Sequence, residues 1–157
     1  MTVVSDTTAL SNLLHIGKLT LLKDLFGQVL VPKAVLYELA AVTGFSKQVA
    51  QADYIIEVQC GAVLNPLQHN EGLDIGEKEA ISYAVDNAAN LLIIDELNGR
   101  RFAVELGLQI IGTIGILVAA KRKKLIETIK QYLDDLRNNG FWISEKIYVE
   151  ALKLANE

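Results

Sequence analysis

The chain has 157 residues, of which 51% are apolar and 22% charged, and its formal net charge is −4. This length suits one domain with a full core over residues 1–157, and the composition excludes a disordered chain. The acidic balance excludes a protein that coats nucleic acid by bulk positive charge, but it leaves open an enzyme whose carboxylates hold cations. A single cysteine, Cys60, excludes an internal disulfide and a cysteine-based zinc cluster.

No apolar run is long enough to cross a membrane without charges. The N-terminus has neither the basic start nor the long apolar core of a signal peptide. We therefore expect a cytoplasmic protein with no membrane partner.

The first half of the chain alternates short apolar runs with helical patterns. Residues 44–53 are a further helix or irregular, and residues 59–73 have the composition of a loop over the active face. The predicted elements are a strand leading into Asp6, a helix closed by Gly17, a helix over 19–26, a strand over 28–31, a helix opening at Pro32 and a strand over 54–58.

The second half repeats this alternation. Strands that alternate with helices predict an α/β fold, a three-layer α/β/α arrangement with a mainly parallel central sheet. The predicted elements are a helix over 77–88, a strand over 91–94, a helix closed by Gly107, a strand over 109–111, a helix that ends in the basic run 121–124, and helices over 127–138 and 143–155.

Four acids are expected to meet at one edge of this sheet. Asp6 and Asp95 directly follow apolar strands, and the carboxyl ends of parallel strands share an edge. Glu38 and Glu77 are expected in the first turns of helices that start near that edge. Carboxylates held this close repel one another unless a cation compensates them, and oxygen ligands without histidine or cysteine select Mg²⁺ or Mn²⁺.

Each acid also has a purely structural interpretation. Asp6 or Asp95 could simply be a helix N-cap, Glu77 could complement the helix dipole, and Glu38 could be solvated surface. The hypothesis of a metal site therefore depends on the four acids together.

Several neighbours are candidates for support or for substrate contact. Supporting residues that could orient the carboxylates or cap helices are Thr7, Thr113, Asn12 and Asp74, of which Asp74 could also replace Glu77 as a ligand. Basic residues that could bind phosphates are Arg100, Arg101, Lys121 and Arg122, although a solvated helix end is the default role for such residues.

The chain resembles PIN-domain proteins, in particular a prokaryotic branch near the toxin ribonucleases of toxin–antitoxin pairs. The resemblance covers nearly the whole chain. The matching segments are residues 4–8, 31–38, 73–81, 92–96 with Arg100 and Arg101, 112–117 and 140–144.

The resemblance implies a parallel-sheet α/β/α fold and a Mg²⁺- or Mn²⁺-dependent ribonuclease acting on RNA. The implied acids are Asp6, Glu38, Glu77 and Asp95, with Thr113 as a supporting hydroxyl. It also implies a homodimer with a small antitoxin-like partner. Many of these toxins have an aspartate as the third acid, where this chain offers Glu77 with Asp74 nearby.

Three other functions compete with this hypothesis. The same fold could act as a binding module with little or no turnover. A phosphatase that forms an aspartyl-phosphate usually needs an acid two residues beyond the nucleophile, where this chain has Thr8. A dinucleotide-binding domain is disfavoured because no G-x-G-x-x-G follows the first strand.

Overall fold

A five-stranded parallel sheet forms the centre of the protein in the computed structural model, which describes residues 1–41 and 44–157. The strands are short and mainly apolar, and the three central ones are largely buried, as expected for strands covered on both faces. They are β1 (Val3–Ser5), β2 (Val29–Pro32), β3 (Ile55–Val58), β4 (Leu91–Ile93) and β5 (Ile110–Ile111).

Helices follow the strands and flank the sheet. In the described part of the chain they are α1 (Thr7–His15), α2 (Leu21–Phe26), α3 (Lys33–Ala40), α4 (Phe45–Ala50), α5 (Asn65–Gln68), α6 (Ile75–Asp86), α7 (Leu97–Glu105), α8 (Thr113–Arg122), α9 (Lys130–Asn138) and α10 (Glu145–Leu154). The predicted α/β/α fold with a parallel sheet is confirmed.

The strand order, β3-β2-β1-β4-β5, places the first strand in the middle of the sheet. The chain moves outward from β1 to β3, then crosses back and continues from β4 to β5. The order therefore reverses between β1 and β4, which pair in register through Val4 and Leu92. Ligand sites of open α/β sheets form at such a reversal, beyond the carboxyl ends of the strands.

The core lies on both sides of β1 and β4. Val3 and Val4 are both buried, as are Leu92 and Ile93, so these strands show no alternation between buried and exposed residues. Helix α6 packs against β1, β2 and β4, while α8 packs against α1, α2 and α10. This packing fixes the two strand ends that carry Asp6 and Asp95.

Three local expectations are refined by the structure. The segment 59–73 contains the short helix α5, which begins where Pro66 can occupy a first-turn position. Pro32 ends β2 and also precedes α3 as its N-cap residue. Of residues 44–53, positions 45–50 form α4.

The C-terminal end of the described chain is held by Glu157. Its side chain accepts hydrogen bonds from the hydroxyl of Thr128 and from the Ile129 amide at 2.7 Å, and it pairs with Lys121 Nζ at 3.1 Å. Burial alone would raise the pKa of Glu157, but these donors outweigh it and lower the pKa to about 2. Glu157 thus satisfies free amides at the start of α9 and ties them to α8.

Replacing Glu157 by Gln should destabilise the fold by about 1 kcal/mol at pH 7, which for a chain of this size lowers Tm by about 2–4 °C. The stabilisation is fully present above the ordinary glutamate pKa near 4.5 and is lost as the pH falls through about 2. Thermal unfolding of E157Q and wild type between pH 3 and 7 should therefore show a difference that shrinks at the acid end.

The matched control is Glu150→Gln, since Glu150 is an exposed residue of α10. Equal melting of E157Q and E150Q at pH 7 would contradict the assigned role of Glu157.

Candidate active site

Asp6 is a fully buried acid that begins α1 and lies at the centre of the site. Its Oδ1 accepts from the Ala9 amide at 3.0 Å, and its own amide donates to the Ile93 carbonyl at 3.0 Å. Asp6 is therefore the N-cap of α1, as its structural interpretation predicts. Its second oxygen, Oδ2, is buried and has no hydrogen-bond partner. Capping uses one oxygen and leaves the other available to a ligand.

Asp95 follows β4 and is held by three donors. Its Oδ1 accepts from the Thr113 amide at 2.8 Å, and its Oδ2 accepts from Thr113 Oγ1 at 2.5 Å and from Asn12 Nδ2 at 2.9 Å. Thr113 is the first residue of α8, so Asp95 satisfies an amide at the start of a helix other than its own. The N-cap of the following helix, α7, is Glu96.

Glu38 lies in the second half of α3, so the expectation that it occupies a first turn is wrong. Helix α3 begins at Lys33, so Glu38 is well past its first turn. The long Glu38 side chain nevertheless reaches the site. Its Oε2 accepts from Thr7 Oγ1 at 2.5 Å, and its Oε1 accepts from the Gly76 amide at 2.9 Å. In the opposite direction, Glu79 of α6 accepts a hydrogen bond from the Ala34 amide near the start of α3, at 3.2 Å. Helices α3 and α6 therefore cap each other.

Glu77 and Asp74 form a capping box at the start of α6. Asp74 Oδ1 accepts from the Glu77 amide at 2.7 Å, and Glu77 Oε2 accepts from the Asp74 amide at 3.0 Å. The Glu77 side chain is buried, with 5% of the residue exposed, and its Oε1 has no hydrogen-bond partner. Of the two candidates for the third acid, Asp74 is thus the N-cap, and Glu77 carries the unpaired oxygen.

Burial of so much negative charge raises the pKa of both acids that have an unpaired oxygen. The pKa of Asp6 is raised well above its ordinary value, first by desolvation and then by the charges of Asp95 and Glu77. Desolvation also raises the pKa of Glu77 to about 7, with further contributions from Asp74, Glu96 and Glu38. Either a proton or a bound cation can relieve this repulsion.

Three glycines leave room for the carboxylates. A Cβ on Gly76 would lie 2.5 Å from Glu38 Oε2, and one on Gly99 would lie 2.8 Å from Glu77 Oε1. A Cβ on Gly112 would lie 2.6 Å from Asp95 Oδ1. The sequence reasoning did not assign these glycines to the site. Their signal in the sequence is a glycine close to the start of α6, α7 and α8.

The available ligand atoms suit a hard divalent cation, because every one of them is an oxygen. Asp6 Oδ2 and Glu77 Oε1 are the buried oxygens that await a partner. Across residues 1–41 and 44–157, however, no three acids, histidines or cysteines are already gathered as a ligand cluster. Asp95 and Glu38 point their oxygens at protein donors, and the remaining lone pairs of these oxygens are what each could offer to a cation.

A cleft of about 420 Å³ opens beside the site. It passes between the loop before α6 and the start of α7, so part of the predicted loop 59–73 does border the candidate site. Its lining residues are Glu71, Gly72, Leu73, Asp74, Glu77, Glu96, Leu97 and Asn98. Glu96, which sequence reasoning did not single out, also accepts from Thr8 Oγ1 at 3.4 Å.

The predicted phosphate-contacting residues are not gathered in one place. Arg100 donates to the Ile94 carbonyl at 2.8 Å, while Arg101 is exposed and lies 4.0 Å from Glu105. Lys121 pairs with Glu157, and Arg122 Nη2 donates to the Leu154 carbonyl at 3.2 Å. Lys121 is eight residues along α8 from Thr113, or about 12 Å from the site. Their role in RNA binding stays a prediction.

The fold and site define a class of protein, namely three-layer α/β/α domains with a carboxylate site where the order of a parallel sheet reverses. A family model described as a PIN domain matches residues 2–157, and the chain belongs to the PIN-domain family. PIN domains are generally nucleases and typically use divalent metals, which supports a hydrolase at this coarse level.

No curated protein and no solved structure matches the chain significantly. Within the part of the chain that the structure describes, no helix has the length and apolarity needed to cross a bilayer.

Glu77 should make the metal-free protein less stable as the pH rises from about 4.5 to about 7. In that interval the folded protein binds a proton that the unfolded chain has already released, so the free energy of unfolding falls with pH. Glu77→Gln keeps an oxygen for the Asp74 amide and removes the charge. Thermal unfolding in chelator should therefore show E77Q several degrees above wild type at pH 8, with a smaller gap at pH 5.

Glu150→Gln again serves as the exposed control and should melt like wild type at both pH values. A gap for E77Q that is the same at pH 5 and pH 8 would show that the carboxyl does not titrate as described.

Proposed function

We propose that this protein is a divalent-metal-dependent endoribonuclease, folded as a single PIN-like domain over residues 1–157. The observation that carries the proposal is the pair of buried, unpaired carboxylate oxygens, Asp6 Oδ2 and Glu77 Oε1. Buried charged groups are paired or bind metals, and these two have no protein partner in the described chain. A cytoplasmic RNA is the substrate that fits this proposal.

Mg²⁺ or Mn²⁺ would be held chiefly by Asp6 and Asp95, with Glu77 and Glu38 completing the site. The ion would supply positive charge to the phosphodiester and make water a better nucleophile, so no serine, cysteine or histidine nucleophile is required. Thr113 and Asn12 orient Asp95, Thr7 orients Glu38, and Asp74 orients Glu77. These supports hold the carboxylates in place before an ion binds.

A second candidate function is a binding module with weak or no turnover. It is favoured by the contacts of Asp95 and Glu38, whose oxygens are already satisfied by protein donors. An RNA or a protein partner would then be held without cleavage.

We further propose that the protein is the toxin of a toxin–antitoxin pair, a homodimer with a small antitoxin-like partner. Apolar residues spread along the chain could form the dimer contact, and they differ in exposure. Leu19 and Leu22 are buried, and Phe26, Phe45 and Phe141 are half-buried. Trp142 is 81% exposed and is the member of this set available to another chain.

Purified wild-type protein should cleave single-stranded RNA with Mn²⁺ or Mg²⁺ and lose this activity in chelator. Asp6→Asn should reduce the rate by at least about a hundredfold, because it removes the charge of a principal ligand. The variant should fold, since Asn is also a good N-cap and its side-chain oxygen can accept from the Ala9 amide. Gel-resolved cleavage of a labelled RNA measures both effects.

The control is Asp86→Asn, an exposed aspartate of α6, which should cleave as wild type does. Metal-dependent cleavage that survives in D6N would refute the assigned site. Absence of cleavage by wild type with either ion, together with retained RNA or protein binding, would favour the binding module.

Light scattering should give twice the chain mass of 17.2 kDa across the accessible concentrations. Replacing Trp142 by Ser should shift the equilibrium between monomer and dimer toward the monomer, because a large apolar surface would be lost. The single-chain mass at every concentration would refute the dimer.

A further inference from the structure

Arg100 contacts the peptide bond that precedes Asp95. The Ile94–Asp95 peptide lies just beyond β4, and its carbonyl oxygen accepts from Arg100 Nη1 at 2.8 Å. One peptide earlier, the Ile93 carbonyl accepts from the Asp6 amide at 3.0 Å. One guanidinium contact thus helps to set the plane of the peptide that leads into Asp95, next to the peptide that Asp6 contacts.

Arg100 and Asp95 also flank the same point in space. The position of a Cβ on Gly112 would lie 2.8 Å from Arg100 Nη1 and 2.6 Å from Asp95 Oδ1. Gly112 is extended, with φ −106°, so the backbone there would accept other residues and only the missing space requires glycine. The guanidinium and the carboxylate therefore both pack against Gly112, in the space that a side chain would need.

The neighbouring arginine has a different environment. Arg100 is half-buried and, among the residues that the structure describes, has no carboxylate within ion-pair distance. Arg101 is exposed and faces Glu105. Arg100 has turned one arm inward onto a buried backbone carbonyl, so that this arm does not contribute to a two-pronged phosphate contact.

We propose that Arg100 is a positioning residue that orients the Ile94–Asp95 peptide, and thereby Asp95, for cation binding. The proposal rests on the proposed function in one respect, namely that Asp95 helps to hold the metal. It replaces the expectation that Arg100 acts mainly by contacting RNA. Groups that orient metal ligands from outside typically change metal affinity 10–100-fold when they are removed.

The test uses Arg100→Met, which keeps the apolar stem and removes the donors, beside Arg100→Lys and the neighbouring control Arg101→Met. Mn²⁺ affinity without RNA is measured by calorimetry or by the electron paramagnetic resonance of free Mn²⁺. R100M should bind Mn²⁺ at least about tenfold more weakly than wild type. R100K should be weakened less, since an ammonium can still donate to the carbonyl. R101M should bind Mn²⁺ as wild type does.

Kinetics separate positioning from a phosphate contact. Positioning predicts a lower kcat with KM and its salt dependence nearly unchanged in R100M. A lost phosphate contact predicts a higher KM and a salt slope smaller by about one charge, with Mn²⁺ affinity unaltered. The second result would overturn the proposal.

A measurement on the metal-free protein tests the role of Arg100 independently of the proposed nuclease function. The ¹³C resonance of the Asp95 carboxyl group is compared in metal-free wild type, R100M, R100K and R101M. A shift in both Arg100 variants and none in R101M supports positioning, even if wild type binds no Mn²⁺ and the nuclease proposal fails. A folded Arg100 variant with the wild-type Asp95 resonance and Mn²⁺ affinity overturns it, and R100K alone decides if R100M does not fold.

Discussion

Burial of negative charge at the carboxyl edge of the sheet is the constraint on which the rest of the structure depends. All four acids are stabilised in the same way, because each accepts a hydrogen bond from a backbone amide at the start of a helix. Asp6 takes the Ala9 amide, Glu38 takes that of Gly76 and Asp95 takes that of Thr113, while Glu77 takes the amide of the α6 N-cap. Helix N-termini carry unpaired amides and partial positive charge, so they stabilise carboxylates that would otherwise be expelled from the core.

This solution divides the acids into two kinds. Asp95 and Glu38 have a protein donor for each oxygen, whereas Asp6 and Glu77 have a donor for one oxygen and none for the other. The raised pKa values fall on the second kind. The contacts that stabilise the helices therefore also create the chemical demand for a proton or a cation at the site, and stability and ligand binding cannot be assigned to separate residues there.

Helix α8 connects the site to the far end of the protein. It begins at Thr113, which holds Asp95, and its last turn holds the C-terminal segment through Lys121 and Arg122. Basic side chains near a helix C-terminus are favoured by the dipole, and here they also pair with Glu157 and the Leu154 carbonyl. These contacts hold α10 against α8. They also place these positive charges away from the four carboxylates of the site.

The sequence by itself determined the alternation of strands and helices, the placement of Asp6 and Asp95 directly after apolar strands, and the family. These features are local, because strand and helix periodicity is written in adjacent residues. Only the tertiary structure decided which oxygens remain unpaired, that Glu38 reaches the site from the second half of α3, and that Arg100 turns onto Ile94. Such contacts join residues as distant as Asn12 and Asp95, and the packing of helices on the sheet fixes their geometry, which periodicity does not encode.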